Sequence, residues 1–135
     1  MENILEEDIT GPIGTQKYLC NITWRKGSFF MDEPKTIDGG DLGPDPYTAL
    51  LASLASCTLV TLRMYIDRKK WDISEIHIAM NMFQENDPEL TTTITRDISF
   101  PLTVEEDLKK RLLVIAEKCP ISKILKNQVL INTTI

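Results

Sequence analysis

Apolar and polar residues alternate over 73–83, with Ile76, Ile78, Met80 and Met82 on one face and His77, Ala79, Asn81 and Phe83 on the other. A two-residue period predicts a half-buried strand. The pattern returns over 90–100, where Thr91, Thr93, Thr95, Asp97 and Ser99 form the wet face. Asn86-Asp87-Pro88 supplies turn residues between the two runs, so they are expected to pair as an antiparallel hairpin.

Upstream, the segments 18–24 and 28–32 are rich in β-branched and aromatic residues and flank Arg25-Lys26-Gly27. They predict a first hairpin, with Gly27 supplying a positive φ. The next stretch, 33–46, carries Pro34, Gly39, Gly40, Gly43, Pro44 and Pro46. That density of breakers predicts a loop, with room for one short strand near Thr36. Asp45-Pro46 then has the form of a helix start, an Asp cap followed by Pro at the first helical position.

The helix is expected to run from Pro46 to about Lys69. Its centre, 49–60, is apolar or small on every face, which predicts burial all round, with a dimer core as one way to achieve it. Cations at Arg68 and Lys69 suit its C-terminal end. Thr103-Val104-Glu105-Glu106 fits a capping box, and Leu108, Leu112, Ile115 and Ala116 mark one face of a second helix reaching Lys118. Residues 128–135, with Val129 and Ile131, read as a last strand. The order is β-β-(β)-α-β-β-α-β, an α+β layout without internal repeats.

Composition narrows the function. A chain of 135 residues, 42% hydrophobic and 26% charged, suits one folded domain, 1–135. Its net charge of -5 offers no general attraction to phosphate backbones or anionic lipid, so neither nucleic acid nor membrane is an expected partner. The start, Met-Glu-Asn-Ile-Leu-Glu-Glu-Asp, lacks the basic and apolar regions of a secretory signal, which makes the cytoplasm the expected location. The longest apolar stretch, 49–66, is interrupted by Ser, Thr and Arg63 and reads as a core helix.

Few side chains are equipped for chemistry. The three cysteines and one histidine have no Cys-x-x-Cys or His-x-x-x-His spacing, so no zinc site is expected, and Gly39-Gly40-Asp41-Leu42-Gly43 is not a nucleotide loop. No cofactor is implied. Cys119 precedes Pro120 and Ile121-Ser122-Lys123-Ile124-Leu125, which places it as the cap of a short helical turn, where its thiol pKa should fall. The rival reading of the same position is a cysteine that only ends one helix and packs. Cys57 lies deep in the long apolar helix, where burial raises a thiol pKa, and would need a cation to become a nucleophile. Arg25, Arg63 and Arg96 are the candidates. Arg96 interrupts the apolar face formed by Leu90, Ile94 and Ile98, although its stem could pack while its head reaches water. His77 is a weakly motivated partner for a thiol, and Cys20 has none.

Two segments together carry a resemblance. Gly43-Pro44-Asp45-Pro46-Tyr47-Thr48-Ala49-Leu50-Leu51-Ala52-Ser53-Leu54-Ala55-Ser56-Cys57-Thr58 resembles the central helix of OsmC/Ohr-type proteins. Cys119-Pro120-Ile121-Ser122-Lys123-Ile124-Leu125 is similar to their second-cysteine motif, 62 positions after Cys57 (119 − 57). The resemblance implies an OsmC-like fold, an intertwined homodimer, and peroxidase chemistry on organic or fatty-acid hydroperoxides with a small or protein-bound dithiol as reductant. It implies that Cys57 is the peroxidatic thiol and Cys119 the resolving one. The family's early arginine best matches Arg25. Where the family's peroxidases usually carry Glu, ten positions before the peroxidatic cysteine, this chain has Tyr47, which is then a candidate lining residue of the substrate pocket. The segment 61–71 looks more like the less characterised OsmC-like branch. The rival expectations are an OsmC-fold protein that holds a hydrophobic ligand, and an interaction module whose cysteines only pack.

Overall fold

The central element of the chain is a 24-residue helix, α1 (Pro46–Lys69), bounded by the signals its sequence carries. At its start the Asp45 carboxylate accepts from the Tyr47 and Thr48 N–H groups and from the Thr48 hydroxyl, which holds its carboxyl below the usual carboxylate range. At its end Lys70 adopts φ 57°, while Lys70 N–H reaches Asp67 C=O and Trp71 N–H reaches Ile66 C=O, both at 3.1 Å. This is a Schellman close with a lysine where glycine would be easier. The computed structural model describes residues 2–135, which form two compact units, one up to Leu50 and one of Leu51–Ile135.

In the first unit, β1 (Cys20–Trp24) and β2 (Gly27–Met31) pair antiparallel, Trp24 opposite Gly27. Gly27 does not supply the expected positive φ, since no glycine among the described residues has one. It opens β2 instead, and the left-handed positions fall to Asp38 and Asp41 in the following loop. The strand expected near Thr36 is a 3-10 turn, Lys35–Ile37. Asp32, 2% exposed, organises this region by accepting from the N–H groups of Glu33, Tyr18 and Leu42. Glycine is required here for close approach: a Cβ at Gly39 would collide with the Glu33 backbone, and one at Gly43 with the Phe30 carbonyl.

In the second unit, β3 (His77–Asn86) and β4 (Leu90–Ser99) form the expected antiparallel hairpin, with Met80 opposite Arg96. β3 begins later than the alternation suggested, because 73–76 has no strand opposite it. Two helices follow, α2 (Glu106–Ala116) and α3 (Pro120–Leu125). The capping box does not form: α2 starts at Glu106, its cap residue Glu105 makes no side-chain cap bond, and Glu106 and Asp107 favour the helix end by charge alone.

The core joins Leu62 and Ile66 of α1 to Leu112 and Ala116 of α2, flanked by Trp71, Ile98 and Phe100. Each large aliphatic side chain so buried contributes roughly 1.5–3 kcal/mol. Within the single chain α1 is therefore buried along one stripe, Leu54, Thr58, Leu62 and Ile66, and not all round as its composition suggested. Leu50, Val60 and Met64 stand exposed. By length and composition alone, α1 is apolar enough to cross a membrane. The last strand expected over 128–135 is also absent; these residues run as exposed coil. They pair with no strand, and β-propensity alone does not bring one alongside.

Candidate functional site

Cys119 caps α3 as its position before Pro120 suggested: the Ser122 N–H donates to Cys119 Sγ at 3.3 Å. The thiol in turn donates to Ser122 Oγ at 3.2 Å, and Thr58 Oγ1, on α1, lies 3.7 Å from the sulfur. Cys119 has no exposed surface. Burial disfavours its thiolate, yet the bonds from the Ser122 side chain and backbone, from Thr58 and from Cys57 outweigh it and lower its pKa to about 7.

Cys57 is the other thiol of the site, half-buried on α1 one residue before Thr58. Burial and the neighbouring Cys119 push its pKa up, against weaker opposing bonds from the Ile121 N–H and the Thr61 hydroxyl. The first turn of α3 thus serves both sulfurs, with the Ile121 N–H toward Cys57 and the Ser122 N–H toward Cys119. The sulfur better able to carry charge is the one sealed from solvent.

The guanidinium of this cluster belongs to Arg96. Its Nη1 donates to Thr58 Oγ1 at 2.8 Å and to Ser122 Oγ at 3.0 Å, and its Nη2 to Glu117 Oε1 at 3.2 Å. Glu117 also binds Lys126; that bond, against burial and with help from Arg96, holds its carboxyl below the usual range. Beside the cluster a cleft of about 200 Å³ is lined by Leu54, Thr92, Ile94, Arg96, Ser122, Leu125 and Lys126. It combines an apolar wall with a hydroxyl and a guanidinium, a surface suited to a molecule with a hydrocarbon body and a polar end.

Each of the other sequence candidates has its own local setting. Arg25 sits in the β1–β2 turn with its guanidinium 5.3 Å over the Trp24 ring. Tyr47 is in the first turn of α1 with its side chain exposed. Arg63 binds Asp67 and the Ile73 carbonyl, and His77 faces Glu75 at the surface. Among the described residues no group of His, Cys, Asp and Glu could hold a metal ion. Thr58, Ser122 and Glu117 were not singled out by the sequence. Their only signals are adjacency: Thr58 follows Cys57, Ser122 stands three after Cys119, and Glu117 two before it.

Residues 39–134 match the family described as OsmC-like protein. The chain belongs to the OsmC family. No curated protein sequence matches it. Among solved OsmC-family structures, an OsmC-like protein from Mycoplasma pneumoniae superposes with TM-score 0.69 at 21% identity, covering 92% of this chain and 89% of that one. An organic hydroperoxide resistance protein from Elizabethkingia anophelis gives 0.71 at 17% identity, covering 93% and 91%. The Bacillus subtilis organic hydroperoxide resistance protein OhrB gives 0.62 at 21% identity, covering 88% and 89%. The three helices and antiparallel strand pairs are therefore those of the OsmC fold.

Proposed function

We propose that this OsmC-family protein is a thiol-dependent peroxidase that reduces organic hydroperoxides through Cys57 and Cys119, in oxidative stress defence. The observation that carries the reading is the asymmetric dithiol: a solvent-accessible Cys57 paired with a sealed, low-pKa Cys119. Neighbours named as organic hydroperoxide resistance proteins support the substrate class.

The chemistry follows from the asymmetry. Cys119 thiolate takes the proton of Cys57, and the Cys57 sulfur attacks the terminal oxygen of the hydroperoxide. The O–O bond breaks; the alkoxide leaves and takes the Cys119 proton to become the alcohol, while Cys57 becomes a sulfenic acid. Cys119, a thiolate again, attacks the Cys57 sulfur and expels hydroxide, closing a disulfide. An external dithiol restores the pair. Arg96 is the cation at this cluster, Arg25 and Tyr47 being the residues that the family resemblance adds; the apolar wall of Leu54, Ile94 and Leu125 fits the organic part of the substrate.

The same reading includes a homodimer in which the exposed apolar face of α1 is covered by a second copy, in the cytoplasm. The test of the enzymatic reading is peptide mass spectrometry under non-reducing conditions, after one equivalent of cumene hydroperoxide is added to reduced protein. A rapid Cys57–Cys119 crosslink is the expected result. Thiols left free would overturn it and favour the hydrophobic-ligand-binding alternative.

A further inference from the structure

Arg96 is nearly enclosed, its side chain 12% exposed, and it divides one nitrogen between two hydroxyls. A hydroxyl has one proton to give and two lone pairs. With Arg96 occupying a lone pair on Ser122 Oγ, the Ser122 proton is free to turn toward Cys119 Sγ, 3.2 Å away, whenever that sulfur is an anion. Thr58 is arranged alike, though its proton is also claimed by the Leu54 carbonyl at 2.7 Å. The positive charge on β4 therefore reaches Cys119 through hydroxyls on α3 and α1. Glu117 holds the far side of the guanidinium and fixes its plane.

This arrangement has its largest effect when the disulfide is broken. Opening a disulfide requires one sulfur to accept the incoming thiol and the other to depart with the electron pair; the better-stabilised anion departs faster. We propose that Arg96 is a positioning residue for reduction: through Ser122 and Thr58 it makes Cys119 the departing sulfur, so that the reducing thiol always becomes attached to Cys57. The proposal rests on the reading of Cys57 and Cys119 as a disulfide-forming pair, but not on a hydroperoxide as the oxidant. In the first step a thiolate from a small thiol bonds to Cys57 Sγ, the S–S bond breaks, and Cys119 leaves as the thiolate, bonded to the Ser122 N–H and O–H. In the second step another thiolate attacks the sulfur of the reductant in the mixed disulfide and releases Cys57, so two electrons pass from the thiols to the pair. The burial of Cys119 works in the same direction, since an external nucleophile meets Cys57 first.

The experiment starts from protein oxidised with diamide, opened by excess 2-mercaptoethanol, quenched in acid at short times and mapped by peptide mass spectrometry. The expected adduct is on Cys57, with Cys119 free. Arg96→Gln should slow the opening at least about threefold, because Cys119 becomes a poorer leaving group, and Arg96→Lys should recover part of the rate. In a Cys20→Ser/Cys57→Ser protein, Arg96→Gln should also move the ultraviolet thiolate titration of Cys119 to higher pH, which a merely structural role would not do. An adduct on Cys119, or wild-type opening rates in Arg96→Gln, would overturn the proposal; should Arg96→Gln misfold, Ser122→Ala, which cuts the path from Arg96 to Cys119 at its hydroxyl, must slow the opening instead, and wild-type rates there would overturn it. No Cys57–Cys119 disulfide with diamide would remove both this proposal and the peroxidase reading. A disulfide formed by diamide but not by hydroperoxide, opened at Cys57, would uphold this proposal and remove only the peroxidase.

Discussion

The hydroxyl of Thr58 lies 3.7 Å from the sulfur of Cys119, 61 positions further along the chain. Cys57, Thr58 and Cys119 thereby become one cluster, closed from the strand side by Arg96.

Thr58→Val keeps the shape of a fully buried side chain and removes its hydroxyl. Arg96 loses one of its acceptors in a site with little water, at a cost of about 1–3 kcal/mol. Urea unfolding of reduced Thr58→Val should show that loss, whereas Thr58→Ser should retain most of the stability.

The reduced protein should become more stable as pH rises from 7 to 9.0. The Cys119 pKa is about 7 when folded against an ordinary value of 9.0, so the unfolded state holds more of that proton across the window. Stability then rises with pH, and the contribution is lost as pH falls through 7. Denaturant midpoints of reduced wild type and Cys119→Ser, compared at the two pH values, check this; the variant should lack the rise.

Val60 and Leu62 stand two residues apart on α1, one half-exposed and one fully buried. Leu62→Ala should cost about 2–5 kcal/mol. Val60→Glu should change the fold by less than about 0.5 kcal/mol in an isolated chain. Analytical ultracentrifugation should instead find it shifted toward monomer, the outcome required if a second copy covers this face.

Lys70 takes a left-handed conformation at a cost of roughly 1 kcal/mol. Lys70→Gly should raise the melting temperature by a few degrees, since about 1 kcal/mol corresponds to a few degrees in a domain of this size. Lys70→Val should lower it.

Elements that depend on neighbours in sequence were legible; contacts between distant segments were not. Asp45-Pro46 located the start of α1, the alternation of Ile78, Met80 and Met82 located β3, and the Pro after Cys119 located a cap. Arg96 was conspicuous only as a charge on an apolar strand face. Nothing local said that its partners would be Thr58, Ser122 and Glu117, because periodicity describes one element at a time and this cluster draws on β4, α1, α3 and the turn between α2 and α3. The last strand is absent for the converse reason: Val129 and Ile131 have the composition of a strand, but a strand also needs a partner running alongside, and none pairs with these residues.

Gly39 and Gly43 press directly on the backbone of Glu33 and Phe30. The path into the first turn of α1 is consequently set by main chain against main chain, with Asp32 N–H bonded to the Pro44 carbonyl. A junction built this way is indifferent to which side chain stands at position 47. Evolution could exchange that residue, and with it the character of the surface it faces, while any methyl group added at the two glycines would force the junction apart.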